Sequence, residues 1–183
     1  MLIGPRVHFS CAAIAFFAGC LQTPTKEWRS AHHQVSVSLE NGWKTTHISQ
    51  RGDTVDSPDK LLMAFLQPSS NAAYILRIER DETKDQIADD DYFAAVVKQF
   101  TSNSAYELID QGATTFRGQP FFRVRFRVTG SKGPAAMYVH LRRANEQLTT
   151  IQWTFPIPSS GSVETPAAVA DFDRGVRIGD QAD

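Results

Sequence analysis

Cysteine is nearly absent from this chain: two in 183 residues, at positions 11 and 20, and none beyond. A disulfide framework is excluded, and after residue 20 so are thiolate metal sites and a cysteine nucleophile. An excess of one charge is missing too, 19 Lys and Arg standing against 20 Asp and Glu. That balance lacks the basic surplus of proteins that hold nucleic acid, so no nucleic-acid partner is expected. No apolar run is long enough to cross a bilayer as a helix, which takes roughly 20 residues. The catalytic signatures G-x-S-x-G, Walker A, G-x-G-x-x-G, H-E-x-x-H and the EF-hand loop are all missing. What remains is 42% hydrophobic with 10% aromatics, enough for one folded domain with its own core.

The composition is uneven along the chain. Residues 1–19 carry one charge, Arg6, and no acid; the stretch from Phe9 to Ala18 is almost wholly apolar and ends in small residues. This is the layout of a secretory signal. Its last residues, Phe17, Ala18, Gly19 and Cys20, resemble the lipobox of bacterial lipoproteins, usually Leu-Ala-Gly-Cys, with Phe17 in place of the leucine. The resemblance implies cleavage before Cys20 and a lipidated Cys20, residues 20–33 being the lipidated N-terminus and a polar tether. Several acyl chains would hold the protein to a membrane firmly. Leu21 stands where an aspartate often marks inner-membrane retention, so the outer membrane is implied, with the domain facing the periplasm. Removing the signal leaves 18 basic and 20 acidic side chains.

A single domain is expected over residues 34–178, with 179–183 a loose tail. Val35, Val37 and Leu39 alternate with polar residues, and Glu40, Asn41 and Gly42 supply a turn before Trp43, the pattern of a strand entering a hairpin. Leu61–Leu66 and Tyr74–Ile78 form two more strands. Phe93, Val96, Val97 and Phe100 follow helical spacing, and Asp89, Asp90 and Asp91 lie where side chains cap free amides and oppose the helix dipole. Strand signals follow at Tyr106–Ile109, then, past Gly112, at Thr114–Phe116, and after a turn at Arg117 and Gly118 at Phe121–Val128, Met137–Arg143 and Leu148–Phe155. A last helix begins at Thr165 and Pro166, with Val169, Phe172 and Val176 as its apolar stripe and Gly175 as its weak point.

Taken in order, the Gly42-Trp43 turn, the acidic loop into one amphipathic helix, Tyr106-Glu107-Leu108-Ile109 with Gly112 and Thr114, then Gly118-Gln119-Pro120 and three long strands closing on a helix resemble the Mog1/PsbP-like group, including bacterial lipoproteins of the DcrB-like kind. The resemblance implies an α+β fold, an α/β/α sandwich with a mainly antiparallel sheet. It also implies a binding or accessory role, although fold alone does not transfer function.

Arg123, Arg125 and Arg127 alternate along one strand, and Tyr138, His140 and Arg142 along the next. If the register aligns them, they make a basic face suited to an acidic partner or an anionic headgroup. Internal pairing with Glu79 or with the acids from Asp85 to Asp91 is the competing use of these arginines. His47 and His140 have no neighbours that nominate a triad. The adjacent His32 and His33 point in different directions, so neither a metal nor another cofactor is expected. The expectation is a lipid-anchored, non-catalytic interaction protein of the cell envelope with a protein partner there. A carrier of small ligands or lipids would instead require an apolar pocket, and an enzyme would require a dispersed site.

Overall fold

The computed structural model describes residues 27–39, 42–46, 55–130, 133–158 and 165–178. The signal segment, Cys20, His47 and residues 179–183 lie outside them.

Antiparallel strands build most of the molecule. Eight strands, β3 (Lys44–Thr46), β4 (Val55–Ser57), β5 (Lys60–Gln67), β6 (Ala72–Arg80), β7 (Tyr106–Phe116), β8 (Gln119–Gly130), β9 (Gly133–Ala144) and β10 (Gln147–Pro156), form one sheet. The order is β3-β5-β6-β10-β9-β8-β7, with β4 beside β5, and every pairing is antiparallel. A second sheet joins β1 (Glu27–Arg29), β2 (Val35–Ser38) and β11 (Val176–Ile178) in the order β1-β2-β11. Helices α1 (Asp89–Thr101) and α2 (Ala167–Arg174) complete an α+β fold.

The two faces of the large sheet carry separate cores. On one, Val96, Val97 and Phe100 of α1 meet Val124, Phe126, Met137, Val139 and Leu141. Each such side chain contributes about 1.5–3 kcal/mol on burial. On the other, α2 and the small sheet cover the β5-β6-β10 side: Phe172 packs on Trp43, Phe65 and Tyr74, and Tyr74 stacks on Trp153. Short turns hold the meander. Arg117 and Gly118 between β7 and β8, and Asn145 and Glu146 between β9 and β10, all take positive φ, as two-residue hairpins require.

Four expectations need correction. The polar tether expected up to residue 33 is already fold at Glu27, where β1 pairs with β2 and Trp28 packs edge-on to Phe65. Asp56 then clasps Ser30 and the Ala31 amide, and a His33 ring nitrogen meets the Ser57 carbonyl at 2.8 Å, a bond that the ring must donate. Second, β2 forms no hairpin with β3; the turn passes the chain from the small sheet to the large one, where Trp43 is buried. Third, no side chain caps α1 at Ala88. Asp89 instead binds Lys84 and Arg143, leaving the acids only their favourable position at the positive dipole end. Fourth, α2 stops at Arg174, and Val176 belongs to β11. Gly175 is a close-approach point, since a Cβ there would lie 2.9 Å from Ser38 Cβ.

Candidate functional site

The register does bring the arginine strand and its neighbour together: Arg123 lies opposite His140, and Arg125 opposite Tyr138. Arg142 follows on the same face, one cross-strand row beyond His140. Phe122, Val124 and Phe126 take the α1 face, so the arginines point the other way. There they lie on the β7-β8 side of the sheet, away from the ground that α2 covers. Their side chains are 38%, 27% and 36% exposed for Arg123, Arg125 and Arg127.

Their acid partners come from β7 and not from Glu79 or the Asp85–Asp91 segment. Glu79 pairs with Arg77, and Asp89 lies with Arg143 at the α1 side. A bulge at Ile109 shifts the register so that Asp110 stands directly opposite Arg125. Arg125 grips both oxygens of Asp110, Nε to Oδ1 at 2.8 Å and Nη2 to Oδ2. Its guanidinium also lies 5.7 Å from the Tyr138 ring centre. The other two are held loosely: Arg123 reaches Asp110 at 3.7 Å, and Arg127 reaches Glu107 at 4.0 Å. Exposed pairs of this length contribute at most about 1 kcal/mol. Three cations therefore share two acids, and the ladder keeps one positive charge.

Tyr138 and His140 do not share the exposure that a surface patch would need. Both are buried, and they form the floor beneath the arginines. His140 is ringed by Phe116, Phe121 and Trp153, and neither of its nitrogens finds a hydrogen-bond partner. Burial, helped by the Arg123 charge, pushes its pKa down to about 4, so it is neutral at physiological pH. Arg123 Nε beside it is also buried and unpartnered. Each such group costs about 1–3 kcal/mol unless something satisfies it.

No protein-family model matches the chain, and no curated protein matches it. Among solved structures it is similar to the solution structure of cyanobacterial PsbP, CyanoP, from Synechocystis sp. PCC 6803, with a TM-score of 0.57 at 14% identity. That likeness covers 87% of this chain and 97% of CyanoP. A crystal structure from Bacteroides thetaiotaomicron superposes at a TM-score of 0.46 and 12% identity, covering 86% of this chain and 50% of the other.

The fold is PsbP-like.

In this PsbP-like fold a second group of unpartnered polar atoms adjoins the first. Tyr74 OH, Trp43 Nε1, Trp153 Nε1 and Asp173 Oδ1 are buried without a hydrogen bond. Arg117, at the tip of the β7-β8 hairpin, donates to the Asp173 backbone carbonyl and so joins the hairpin to the end of α2. Burial drives the Asp173 carboxyl up to about 7 against the pull of Arg117. The same burial, with the Asp173 charge, raises Tyr74 well above its usual range. Among the described residues no three His, Cys, Asp or Glu side chains gather as metal ligands, and no helix is long and apolar enough to cross a membrane.

Alternation in sequence finds the arginines, but Asp110 and Glu107 escape it. Their pairing depends on a one-residue bulge that alternation does not display. Arg143 was legible in principle: it follows Met137, Val139 and Leu141 at period two, which sends a guanidinium to the buried face.

Proposed function

We propose that this protein is a lipid-anchored bacterial envelope protein of the DcrB-like kind, without catalytic activity, that acts through the arginine ladder of β7, β8 and β9. The observation that carries the reading is the half-exposed ladder, with three arginines against two acids on sheet surface away from α2. Acidic surfaces are its natural complement, since guanidinium forks read carboxylates in pairs. The lipobox resemblance supplies the anchor at Cys20 and a periplasmic position at the outer membrane, where the partner is an envelope protein.

Two measurements test this. Cys20→Ala, fractionated beside the parent, should move from membrane to soluble fractions; identical partition overturns the anchor. Arg127→Glu is the better probe of the ladder than Arg125, because Arg127 is loosely held and its reversal leaves the Arg125 and Asp110 pair intact. It should abolish the specific crosslink formed in envelope membranes, and an unchanged crosslink pattern overturns the docking face.

A further inference from the structure

The large sheet ends at β7, and among the described residues no strand pairs with β7 on the side away from β8. At its other end the sheet is blunted by the three residues of β3, whereas β7 runs for eleven. The first half of β7 is defended by Glu107, by Asp110 and by the bulge at Ile109. Its second half is not. From Gln111 to Thr115 it keeps unbroken register with β8 and has neither charge nor proline. The two-residue turn at Arg117 and Gly118 is closed by a pair that exchanges both backbone hydrogen bonds, Phe116 and Gln119, and by alternation Thr114 and Gly112 face β8 in the same way. Gln111, Ala113 and Thr115 therefore turn their amides and carbonyls outward, and all three are exposed. Leu108 and Ile109, the large apolar side chains left exposed among the described residues, adjoin this stretch.

We propose that β7 takes up an extended segment of the envelope partner as one further antiparallel strand along Gln111–Thr115, a segment in which acidic and apolar residues alternate. The proposal rests on the reading of the arginine face as the recognition surface and says how the partner engages it. The outward groups of Gln111, Ala113 and Thr115 supply the backbone ladder. Pleating then assigns the side chains: the residue opposite Gly112 shares the arginine face, and the residue opposite Ala113 shares the face of α1. Gly112 leaves open space, since a Cβ there would meet nothing within 4 Å. Across it on β8 stands Arg123, which holds Asp110 only at 3.7 Å while Arg125 clamps that carboxylate. A glutamate opposite Gly112 reaches Arg123 over the bare glycine, two strand spacings or about 10 Å of backbone, and takes up the surplus charge. On the other face Ala113 stands beside the half-buried Phe122, whose ring stacks on Phe93 of α1 at 4.7 Å. An apolar side chain opposite Ala113 extends that aromatic surface. A second copy of this chain suits the edge poorly, because it would bring three arginines and two acids of its own and double the surplus.

The test titrates the purified full chain with the peptide acetyl-Thr-Val-Glu-Val-Glu-Val-Thr-amide, followed by calorimetry and by amide hydrogen exchange. Expected are saturable binding and slowed exchange at the Gln111, Ala113 and Thr115 amides, which the new strand would cover. Methylating the valine nitrogens should abolish binding and methylating the glutamate nitrogens should leave it, because only the residues opposite Gln111, Ala113 and Thr115 donate to β7. Lysines in place of the glutamates should weaken binding at least about tenfold. Arg123→Gln should cost the glutamate peptide about tenfold and leave its glutamine counterpart unchanged. Ala113→Pro removes one outward N–H and should abolish binding while its melting temperature stays within about 4 °C of the parent, since an edge strand tolerates proline where the N–H faces solvent. Absence of saturation, unchanged exchange at the three amides, or parental affinity of the valine-methylated or lysine peptide overturns the proposal. Dimers of the chain that exclude the peptide assign the edge to a second copy and overturn it as well. Failure here with the envelope crosslink still lost in Arg127→Glu would remove the added strand and leave the docking face standing; protected amides with an unchanged crosslink would do the reverse.

Discussion

Arg143 and Asp81 meet inside the protein, Nε to Oδ2 at 2.5 Å, with side chains 0% and 3% exposed. All five N–H groups of the guanidinium are used: Nε and Nη2 on Asp81, Nη2 again on Thr83, and Nη1 on the Ile87 carbonyl and Asp89. Tyr92 closes over the cation, its ring centre 4.4 Å away. One residue at the end of β9 thus pins the whole acidic loop, residues 81–88, and the start of α1. Burial alone would raise the Asp81 pKa, but hydrogen bonds from Arg143 and Thr83 outweigh it and hold the carboxyl below its usual value. Breaking one partner leaves an uncompensated buried charge, which costs about 3–5 kcal/mol. Arg143→Met should therefore destabilise by that amount in urea unfolding, and Asp81→Leu combined with Arg143→Met should recover much of it. Equal stability of parent and Arg143→Met would contradict this account.

The turn between β9 and β10 suggests a change in the opposite direction. Glu146 takes φ of 58°, a left-handed conformation that costs a residue with a Cβ about 1–2 kcal/mol. Its carbonyl accepts from the Asp81 amide at 2.8 Å, so the backbone is held there. Glu146→Gly should relieve the strain and raise stability by about 0.5–1 kcal/mol. For a domain of this size that is a melting temperature higher by about 1–4 °C. A lower melting temperature would mean that the Glu146 side chain contributes more than its backbone costs.

Gly175 carries the reverse expectation. Its close approach to Ser38, where β2 passes the end of α2, leaves no room for a methyl group, and the Ser38 amide donates to the Gly175 carbonyl at 3.1 Å. Neither neighbour can retreat without breaking that bond. Gly175→Ala should lower stability by about 1–3 kcal/mol, the range for overpacking. A neutral result would show that the small sheet can shift against α2.

β5, β6, β9 and β10 were legible as apolar runs set off by turn residues, as strands covered on both faces are, and β8 was legible by alternation at period two. Phe122, Val124 and Phe126 against Arg123, Arg125 and Arg127 show this most plainly. β1 was illegible because three residues give no period. The small sheet was illegible for another reason: β2 and β11 are about 140 residues apart in sequence, and nothing local in either announces the other. The candidate site divides in the same way. Its arginines could be read, while Asp110 depends on a bulge, and the burial of His140 depends on Phe116 and Phe121 leaning across from the β7-β8 hairpin.

His140 and Asp173 give a prediction in pH, with signs that oppose. His140 has a pKa of about 4 in the fold against an ordinary 6.5, so between those values the unfolded chain binds more protons and stability rises with pH. Asp173 has a pKa of about 7 against 3.8, so over the same interval the folded chain binds more protons and stability falls with pH. Each slope is at most about 1.4 kcal/mol per pH unit, and that of Asp173 is smaller because the group is partly exposed. Between about pH 5 and 6.5, above the range where Asp81 and Asp56 titrate, the two nearly cancel. The parent should show a flat unfolding free energy there. His140→Phe should unmask a fall with rising pH, and Asp173→Asn a rise, each readable from urea midpoints at four or five pH values. Asp173→Asn should also be the more stable protein above about pH 7, where the buried carboxylate of the parent carries its full charge penalty, and should match the parent below about pH 4. Parallel profiles for all three proteins would show that neither group is held away from its ordinary titration.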